Sequence, residues 1–133
     1  MPQKPCIFCE IPAIRPVGKE PSQIIKNFDH CYAIYDQFPV SKGHVLLIPH
    51  THIDNWFAAS APVQLDMMQA LNSMKAILDE KFSPEGYNIG LNCGAVAGQT
   101  VFHLHMHLIP RYAGDMEDPK GGVRGVIPHK QKY

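Results

Sequence analysis

The chain has 133 residues, of which 45% are hydrophobic and 18% charged, and its twelve basic and twelve acidic residues give a formal net charge of zero. This length suits one domain with a real core, and a zero net charge leaves no overall basic field to attract nucleic acid. Because the sequence has no apolar run of roughly 18 residues and its first residues lack a secretory signal, we expect a cytoplasmic protein with no membrane or nucleic-acid partner.

Hydrophobic periodicity and turn residues predict short strands around one long helix. The helix is expected to begin after Ser60, a good N-cap residue that stands just before a proline. Its apolar residues recur every three or four positions and form one core-facing stripe: Met67, Leu71, Met74, Leu78 and Phe82. The predicted elements are a loop over residues 10–29 with at most a short strand near Ile24, strands over 31–36 and 44–48, the helix over 62–82, and strands over 87–92 and 101–109. This order indicates an α+β fold with a largely antiparallel sheet.

Three histidines, His103, His105 and His107, alternate with apolar residues in the last predicted strand. A period of two places the three imidazoles on one face of that strand. The opposite face is expected to pack on the core through Phe102, Leu104, Met106 and Leu108. An ordinary half-buried strand carries Thr, Lys or Glu on its open face, so three imidazoles there indicate proton transfer, nucleophilic attack or metal binding. A proline, Pro110, is expected to end the strand.

Cys6 and Cys9 form a CxxC motif near the start of the sequence. In a reducing compartment such a pair points to metal or redox chemistry rather than to a structural disulfide. A redox pair is expected between a strand and a helix, whereas this pair precedes a proline-rich stretch, so zinc is favoured. A structural zinc site needs four ligands, and the missing two must come from the eight histidines. The other cysteines, Cys31 and Cys93, are interpreted as small core residues.

His105, the middle histidine, is the candidate nucleophile. An imidazole whose other nitrogen is held by a carbonyl has a fixed tautomer and a free lone pair. That nitrogen can attack phosphorus to give a covalent phosphoramidate, which water then opens. The turn at residues 98–100 offers donors for the phosphoryl oxygens through its backbone amides, the Thr100 hydroxyl and the Gln99 amide.

Two readings from other classes stay open. The three histidines and His44 would form a metal centre that works without a covalent intermediate, although the outer pair of a straight strand lies about 13 Å apart, which is wide for one ion. The chain would otherwise be a non-catalytic nucleotide- or metal-binding module. Replacing His105 separates these possibilities, because only the covalent mechanism predicts lost turnover with nucleotide binding and metal content kept.

The histidine segment resembles a known signature. Residues 98–109, GQTVFHLHMHLI, are similar to the histidine triad (HIT) superfamily pattern His-φ-His-φ-His-φ-φ, in which φ is apolar. Residues 43–49 followed by His52 resemble an upstream strand of that family, and the CxxC motif and the tail at residues 118–124 resemble those of bacterial members. The resemblance implies a HIT-like α+β fold, with an antiparallel sheet of about five strands, one long helix and a short one. It also implies a single HIT domain over residues 1–133, with an N-terminal segment at 1–30 and an irregular tail at 113–133 that includes a short strand near 123–127.

The resemblance implies a nucleotidyl hydrolase or transferase that cleaves a nucleoside monophosphate from a leaving group. His105 would take up the nucleotide as nucleophile, His107 would contact the phosphate, His44 would complete the pocket, and His103 would buttress the catalytic strand. Asp36 would bind the ribose hydroxyls. The other substrate-binding residues would be Asn92, Gly98, Gln99 and Thr100 around the phosphates, and Ile7, Phe8 and Leu46 around the base.

In zinc-containing relatives the metal is structural. The resemblance implies that Cys6, Cys9, His52 and His103 would hold it here. His50 is a rival ligand, although the family spacing favours His52. The requirement for Mg²⁺ stays undetermined.

The substrate depends on the branch of the family. Residues 108–112, which follow the three histidines, and the tail resemble the same segments of members linked to dinucleoside polyphosphates. We therefore favour dinucleoside polyphosphates as substrates, with a nucleoside phosphoramidase as the alternative. Residues 11–28 are long and proline-rich for the family, which leaves the base preference open. The tail cations Lys120, Arg124 and Lys130 would meet distal phosphates or be solvated. Family members commonly form two-fold homodimers, for which the apolar helix stripe and the aromatic pair at 56–57 would serve as interface or as core.

Overall fold

The computed structural model describes residues 6–14 and 24–133. No helix within these ranges is long and apolar enough to cross a membrane. The helices and strands are α1 (Ile7–Ile14), β1 (Ile24–Asn27), β2 (Cys31–Tyr35), β3 (Val45–Pro49), α2 (Ala61–Phe82), β4 (Gly86–Leu91) and β5 (Met106–Arg111), with short 3₁₀ turns at Trp56–Ala58, Ala95–Ala97, Gly122–Val126 and Pro128–Lys130. The predicted α+β fold, with five strands, one long helix and one short helix, is confirmed.

The sheet has the strand order β1-β2-β3-β5-β4, and every neighbouring pair is antiparallel. After β3 the chain forms α2 and then β4, which lies at the edge of the sheet. It returns as β5, which fills the position between β3 and β4. One row of paired residues crosses the four strands β2, β3, β5 and β4: Ile34, Leu46, His107 and Gly90. Since directly opposed residues of antiparallel strands share a face, these four positions lie on the same side of the sheet.

The main core lies between α2 and the other face of the sheet. The Ser60 hydroxyl accepts a hydrogen bond from the Val63 amide at 3.4 Å, which confirms the predicted N-cap. Within the predicted helix stripe, Met67, Met74 and Leu78 are fully buried, while Leu71 and Phe82 pack against the margin of this core. Cys31 belongs to the same core, as expected, whereas Cys93 is only partly buried.

Helix α1 corrects the predicted loop over residues 10–29. Its buried residues Phe8 and Ile11 are three positions apart, so they point to one side of the helix. They pack on the sheet face opposite α2, in a smaller cluster with Ile24, Tyr32, Ile34, Leu46 and Ile48. The prolines that favoured a loop are compatible with so short a helix, which contains Pro12. The rest of the predicted loop before β1, residues 15–23, lies outside the described residues.

The histidine segment is a strand only in its second half, because β5 begins at Met106 instead of residue 101. The Leu104 amide donates to the Ile53 carbonyl at 2.7 Å, outside the sheet ladder, so the chain approaches the sheet as a bent segment. As a result, the expected core position of Phe102 is wrong, since this side chain is 47% exposed. Leu104, Met106 and Leu108 are buried as predicted.

Two further sequence predictions are wrong in detail. Pro110 does not end the last strand but pairs with Tyr87 inside it. Because the pairing of β5 with β3 stops at Leu108, the missing N–H of Pro110 interrupts no ladder on that side. The short strand predicted near 123–127 is a 3₁₀ turn, Gly122–Val126.

Replacing Gly43 by alanine is expected to destabilise the fold. Gly43 has a φ of 89°, and an added Cβ would lie 2.8 Å from Phe82 Cδ2, so strain and a clash coincide. We expect the free energy of unfolding to fall by about 1–3 kcal/mol, measured by urea denaturation. Gly90→Ala is the matched control, because an added Cβ there meets nothing within 4 Å. Equal losses in both variants would contradict the prediction.

Candidate active site

A cavity of about 480 Å³ lies between α1 and the strands β2, β3 and β5. We call it the triad cavity, because His105 and His107 line it. Predicted site residues that line it are Ile7, Phe8, Asp36, His44, Leu46, Asn92, Gly98, Thr100, His105 and His107. Sequence reasoning missed part of the wall: Ile11, Ile34, Tyr35, Gln37, Phe38, Val40 and Val101. For Ile11 a signal existed, because it stands four and three positions after Ile7 and Phe8, the spacing of one helix face.

His44 and His107 form a hydrogen-bonded pair whose tautomers are set by a backbone amide. The Val40 amide donates to His44 Nδ1 at 3.0 Å, so the proton of neutral His44 is on Nε2. His44 Nε2 lies 2.9 Å from His107 Nδ1 and donates to it. The proton of neutral His107 must therefore be on its other nitrogen, Nε2. His107 thus offers the cavity an N–H donor, which suits a phosphate oxygen.

His105 has the opposite tautomer. Its Nδ1 lies 2.9 Å from the His103 carbonyl oxygen, which can only accept, so Nδ1 carries the proton. The lone pair of His105 is then on Nε2, the nitrogen needed for nucleophilic attack. The Phe8 ring packs edge-on against the His105 ring with 5.0 Å between centroids, and the His107 ring also packs edge-on at 5.4 Å. The ring is therefore positioned by one hydrogen bond and two ring contacts.

Burial keeps most of these histidines neutral. It lowers the pKa of His107 to about 4, and the neighbouring rings of His105 and His44 add to the effect, while the Asp36 carboxylate opposes it. Burial also lowers the pKa of His103 and that of His44, where the Asp36 carboxylate again opposes the effect. The neutral tautomers of His44 and His107 described above are therefore the forms present near pH 7.

Asp36, the expected ribose ligand, lies in the cavity wall beside the histidine pair. Its Oδ1 accepts from the Phe38 amide at 2.8 Å. Its Oδ2 lies 3.5 Å from His44 Nε2 and 4.0 Å from His107 Nδ1. One carboxylate oxygen is thus committed to the turn, and the other adds negative charge next to the two imidazoles.

The side chain of Gln99 holds the turn that precedes the triad. Its Oε1 accepts from the Gly94 amide at 2.8 Å, and its Nε2 donates to the carbonyls of Asp54 at 2.6 Å and Val101 at 3.1 Å. Gly98, with a φ of 98°, supplies the left-handed residue that the turn needs. Because Gln99 is only 4% exposed and does not line the cavity, the expected phosphate contact would require these bonds to break.

His103 lies outside the triad cavity and faces the CxxC motif. Its Nε2 donates to the Pro49 carbonyl at 2.8 Å, which leaves the lone pair on Nδ1. That Nδ1 lies 3.4 Å from the sulfur of Cys6 and 3.4 Å from that of Cys9, and Cys9 Sγ lies 3.3 Å from His52 Nδ1. All four ligand atoms lie within 4.8 Å of one another. The ligand set expected from the sequence is therefore assembled and could hold a metal ion.

The distances fit a tetrahedral zinc site. With Zn–S near 2.3 Å and Zn–N near 2.0 Å, a tetrahedron has S···N edges of about 3.5 Å. The rival ligand His50 is exposed and lies against the Tyr32 ring, with 5.4 Å between centroids. His50 is thus absent from the cluster, and the structure places His52 there instead.

The alternative of a metal centre within the triad is disfavoured by the tautomers. Asp36, His44 and His107 also place ligand atoms within 4.8 Å of one another. However, the facing nitrogen of His44 carries a proton, because Val40 donates to its other nitrogen. The lone pair of His107 on that side already accepts this proton. A metal ion would have to displace the His44 proton and break its hydrogen bond to His107. In addition, His105 does not belong to this group of three potential ligands.

Comparison with known proteins defines the class. The family model described as "HIT domain" matches residues 17–114, so the chain belongs to the HIT family. The chain is 40% identical over 107 residues to "Protein hit" of Bacillus subtilis (strain 168), covering 80% of this chain and 71% of that protein. A crystal structure of a Zn-bound histidine triad family protein from Mycobacterium smegmatis matches with a TM-score of 0.73 and 32% identity, over 85% of this chain and 79% of that one.

Two relatives are named for activities on nucleotides. The chain is 34% identical to an adenylylsulfatase of Arabidopsis thaliana, over 85% of this chain and 55% of that protein. It is 27% identical to the AP-4-A phosphorylase of Mycobacterium tuberculosis (strain CDC 1551 / Oshkosh), over 81% of this chain and 54% of that protein. This chain therefore covers about half of each of these two proteins.

The lowered pKa of His107 predicts a pH-dependent stability. The unfolded chain takes up the His107 proton near pH 6.5, whereas the folded chain does so near pH 4. Between these values the unfolded state binds more protons, so the free energy of unfolding falls as the pH falls. In His107→Asn, this slope should be smaller by up to about 1.4 kcal/mol per pH unit. Urea denaturation from pH 7 to pH 4 measures it, with the exposed His129→Asn as control; an unchanged slope in His107→Asn would contradict the assignment.

Proposed function

We propose that this protein is a nucleotidyl hydrolase or transferase that cleaves a nucleoside monophosphate from a leaving group through a covalent nucleotidyl-His105. Dinucleoside polyphosphates are the favoured substrates. The observation that carries the proposal is the hydrogen bond from His105 Nδ1 to the His103 carbonyl, which leaves the Nε2 lone pair free in a cavity of nucleotide size.

The first step forms one bond and breaks one. His105 Nε2 attacks the phosphorus of the nucleoside monophosphate, and the bond from that phosphorus to the bridging oxygen of the leaving group breaks. The electron pair departs with that oxygen. Water then attacks the phosphorus of the nucleotidyl-histidine and the P–N bond breaks. The electron pair returns to Nε2, one proton of the water passes to solvent, and nucleoside monophosphate and neutral His105 are released. In a transferase reaction, phosphate or another acceptor replaces water.

The charge on the phosphoryl oxygens is met by neutral donors. His107 presents Nε2–H, held in that tautomer by His44 and ultimately by the Val40 amide. Asn92, Gly98 and Thr100 line the same cavity and are proposed to contact the remaining phosphate oxygens. The base is proposed to lie between apolar residues, Ile7 and Phe8 of α1 on one side and Leu46 of β3 on the other. Asp36 is proposed to accept from the ribose.

The protonation state of His107 favours an anhydride over a phosphoramidate. A phosphate leaving group has a second pKa of about 6 and needs no proton near pH 7, whereas an amine must be protonated as it leaves. The pKa of His107 is lowered to about 4, so this residue suits hydrogen bonding better than proton donation. The two relatives named for activities on nucleotides, an adenylylsulfatase and an AP-4-A phosphorylase, support the same choice.

We also propose that Cys6, Cys9, His52 and His103 hold a structural zinc ion. Support comes from the S···N distances and from the Zn-bound relative of Mycobacterium smegmatis. The ion would join the start of α1 to the segment that carries His105, and would take no part in the reaction. Turnover assays with and without a chelator would test the requirement for Mg²⁺.

The single HIT domain over residues 1–133, the cytoplasmic location and the homodimer stay predictions. For the homodimer, support comes from the position of β4 at the sheet edge, since an edge strand presents backbone groups that a second copy can pair with. Of the aromatic pair, Trp56 packs against the core, whereas Phe57 is exposed and free for an interface.

Replacing His105 by asparagine tests the covalent mechanism. We expect turnover of diadenosine tetraphosphate to fall by at least about 10³-fold, because the nucleophile is lost, while nucleotide affinity is kept. Products are measured by chromatography, with adenosine phosphoramidate assayed in parallel, and the adenylylated protein is sought by mass spectrometry after a neutral quench. His50→Asn is the matched control, an exposed histidine outside the cavity. Full turnover in His105→Asn would refute the mechanism, and exclusive cleavage of the phosphoramidate would assign the alternative branch.

Metal analysis tests the zinc site. The parent protein should contain one zinc per chain, and Cys9→Ser and His52→Ala should lose it, because a structural site needs all four ligands. His50→Ala should keep it, since His50 lies outside the cluster. Zinc is measured by mass spectrometry of the metal after exhaustive dialysis. Retention of one zinc per chain in His52→Ala, or its absence from the parent protein, would contradict the proposal.

A further inference from the structure

A second cavity, of about 690 Å³, lies beside the triad cavity on the same face of the sheet. We call it the tail groove. Strands β4 and β5 form its floor and the C-terminal 3₁₀ turn forms its wall, through residues that include Asn88, Gly90, Ile109, Met116, Val123 and Val126. The groove and the triad cavity share four lining residues: Val40, His44, Asn92 and His107. The two cavities therefore meet at the histidine pair.

Gly90 lies in the floor of the tail groove, directly opposite His107 on the neighbouring strand. It is the cross-strand partner of His107, so a side chain at this position would stand on the same face as the imidazole. An added Cβ at Gly90 meets nothing within 4 Å. A glycine inside a strand gives up packing and costs conformational entropy, and it often marks a close approach by a ligand. Here it leaves open space beside His107.

The wall of the groove is a built structure. Gly121 has a φ of 88°, and an added Cβ there would lie 1.9 Å from the Gln131 carbonyl oxygen, so the tail folds tightly on itself. Arg124 donates to the carbonyls of Lys130 at 3.0 Å and Gln131 at 3.3 Å. Lys120 lies over the Tyr133 ring at 4.9 Å. These contacts tie Arg124 and Lys120 to the tail, which favours the alternative in which they do not bind distal phosphates.

The lining of the groove suits a flat, weakly polar group. Val123 and Val126 of the tail and Ile109 of the sheet present aliphatic surface. Apart from histidines, the charged groups among the described lining residues are Arg111 and Asp115, which bind each other in two hydrogen bonds of 2.8 and 2.7 Å. No unpaired cation in this lining is left to bind a terminal phosphate. A nucleobase, in contrast, buries apolar surface without bringing charge.

We propose that the tail groove binds the second nucleoside of a dinucleoside polyphosphate. The phosphate chain would cross the junction at His44, His107 and Asn92, and the scissile phosphorus would stay next to His105. This inference rests on the proposed function. It selects, within that function, substrates whose leaving group ends in a nucleoside.

Calorimetric titration without turnover tests the groove. The probes are a diadenosine tetraphosphate with methylene groups in place of both α,β-bridging oxygens and α,β-methylene ATP, which lacks the second nucleoside. The parent protein should bind the dinucleotide about tenfold more tightly or better, since a second base is buried. Gly90→Leu fills the floor of the groove, and Val126→Glu puts a carboxylate in its wall. Each should remove this advantage, measured as the ratio of the two affinities.

Gly86→Leu is the matched control. Gly86 lies on the same strand, its added Cβ makes only an ordinary contact at 4.0 Å with Arg111 Cβ, and it does not line the groove. The affinity ratio should stay at the parental value in this variant. A parental ratio near one, or an advantage that persists in both Gly90→Leu and Val126→Glu, would overturn the proposal.

Light scattering tests whether a second copy of the chain, instead of a nucleoside, occupies the groove. A change of mass in Gly90→Leu, with the affinity ratio unchanged, would make the groove an interface between copies and would also overturn the proposal. Because the titration measures binding without turnover, its result can refute the second-nucleoside site without refuting the proposed function, and the activity assay can do the reverse. Tight dinucleotide binding without cleavage would refute the proposed function alone, and cleavage without a binding advantage would refute the second-nucleoside site alone.

Discussion

The hydrogen bonds of His103 are the constraint on which both sites depend. Its ring donates from Nε2 to the Pro49 carbonyl at the end of β3, which turns Nδ1 toward the two CxxC sulfurs. Its backbone carbonyl accepts from His105 Nδ1 and so sets the tautomer of the candidate nucleophile. One residue thus links the start of α1, the last residue of β3 and the His105 imidazole, and the Cys/His cluster and the triad cavity lie on two sides of the same segment.

Backbone groups set the tautomers of all four buried or half-buried histidines. Two carbonyls fix His103 and His105 directly, while the Val40 amide fixes His44 and, through it, His107. Backbone donors and acceptors do not exchange roles, so each ring has one favoured state as long as it stays neutral. Burial keeps His107, His44 and His103 neutral by lowering their pKa values. A lone pair and an N–H donor are therefore presented side by side without prior proton movement.

The two faces of the sheet differ in how completely they are covered. Helix α2 covers one face with a continuous core. The other face is covered by α1 at the β1-β2-β3 half and by the tail beside β4 and β5, and two cavities lie under these covers. The row Ile34, Leu46, His107 and Gly90 runs beneath both cavities. His107 stands where the covers do not meet, which gives access to the histidines from both sides.

The sequence by itself determined the fold class, the capped helix α2 and the residues that meet at the two sites, because period, caps and a family signature are local properties of the chain. It did not reveal α1, because Pro12 and the prolines after it favoured a loop and the helical spacing of Ile7, Phe8 and Ile11 covers only one turn. It placed His103 on a strand with His105 and His107, whereas contacts with Pro49, Cys6 and Cys9 turn that ring away. It assigned Gln99 to phosphate, although the Gly94 amide and two carbonyls occupy its amide group. Only the tertiary structure decided these points. Helix α1 depends on its packing against the sheet, the direction of the His103 ring depends on hydrogen-bond partners far away in the sequence, and the role of Gln99 depends on competition for one polar group.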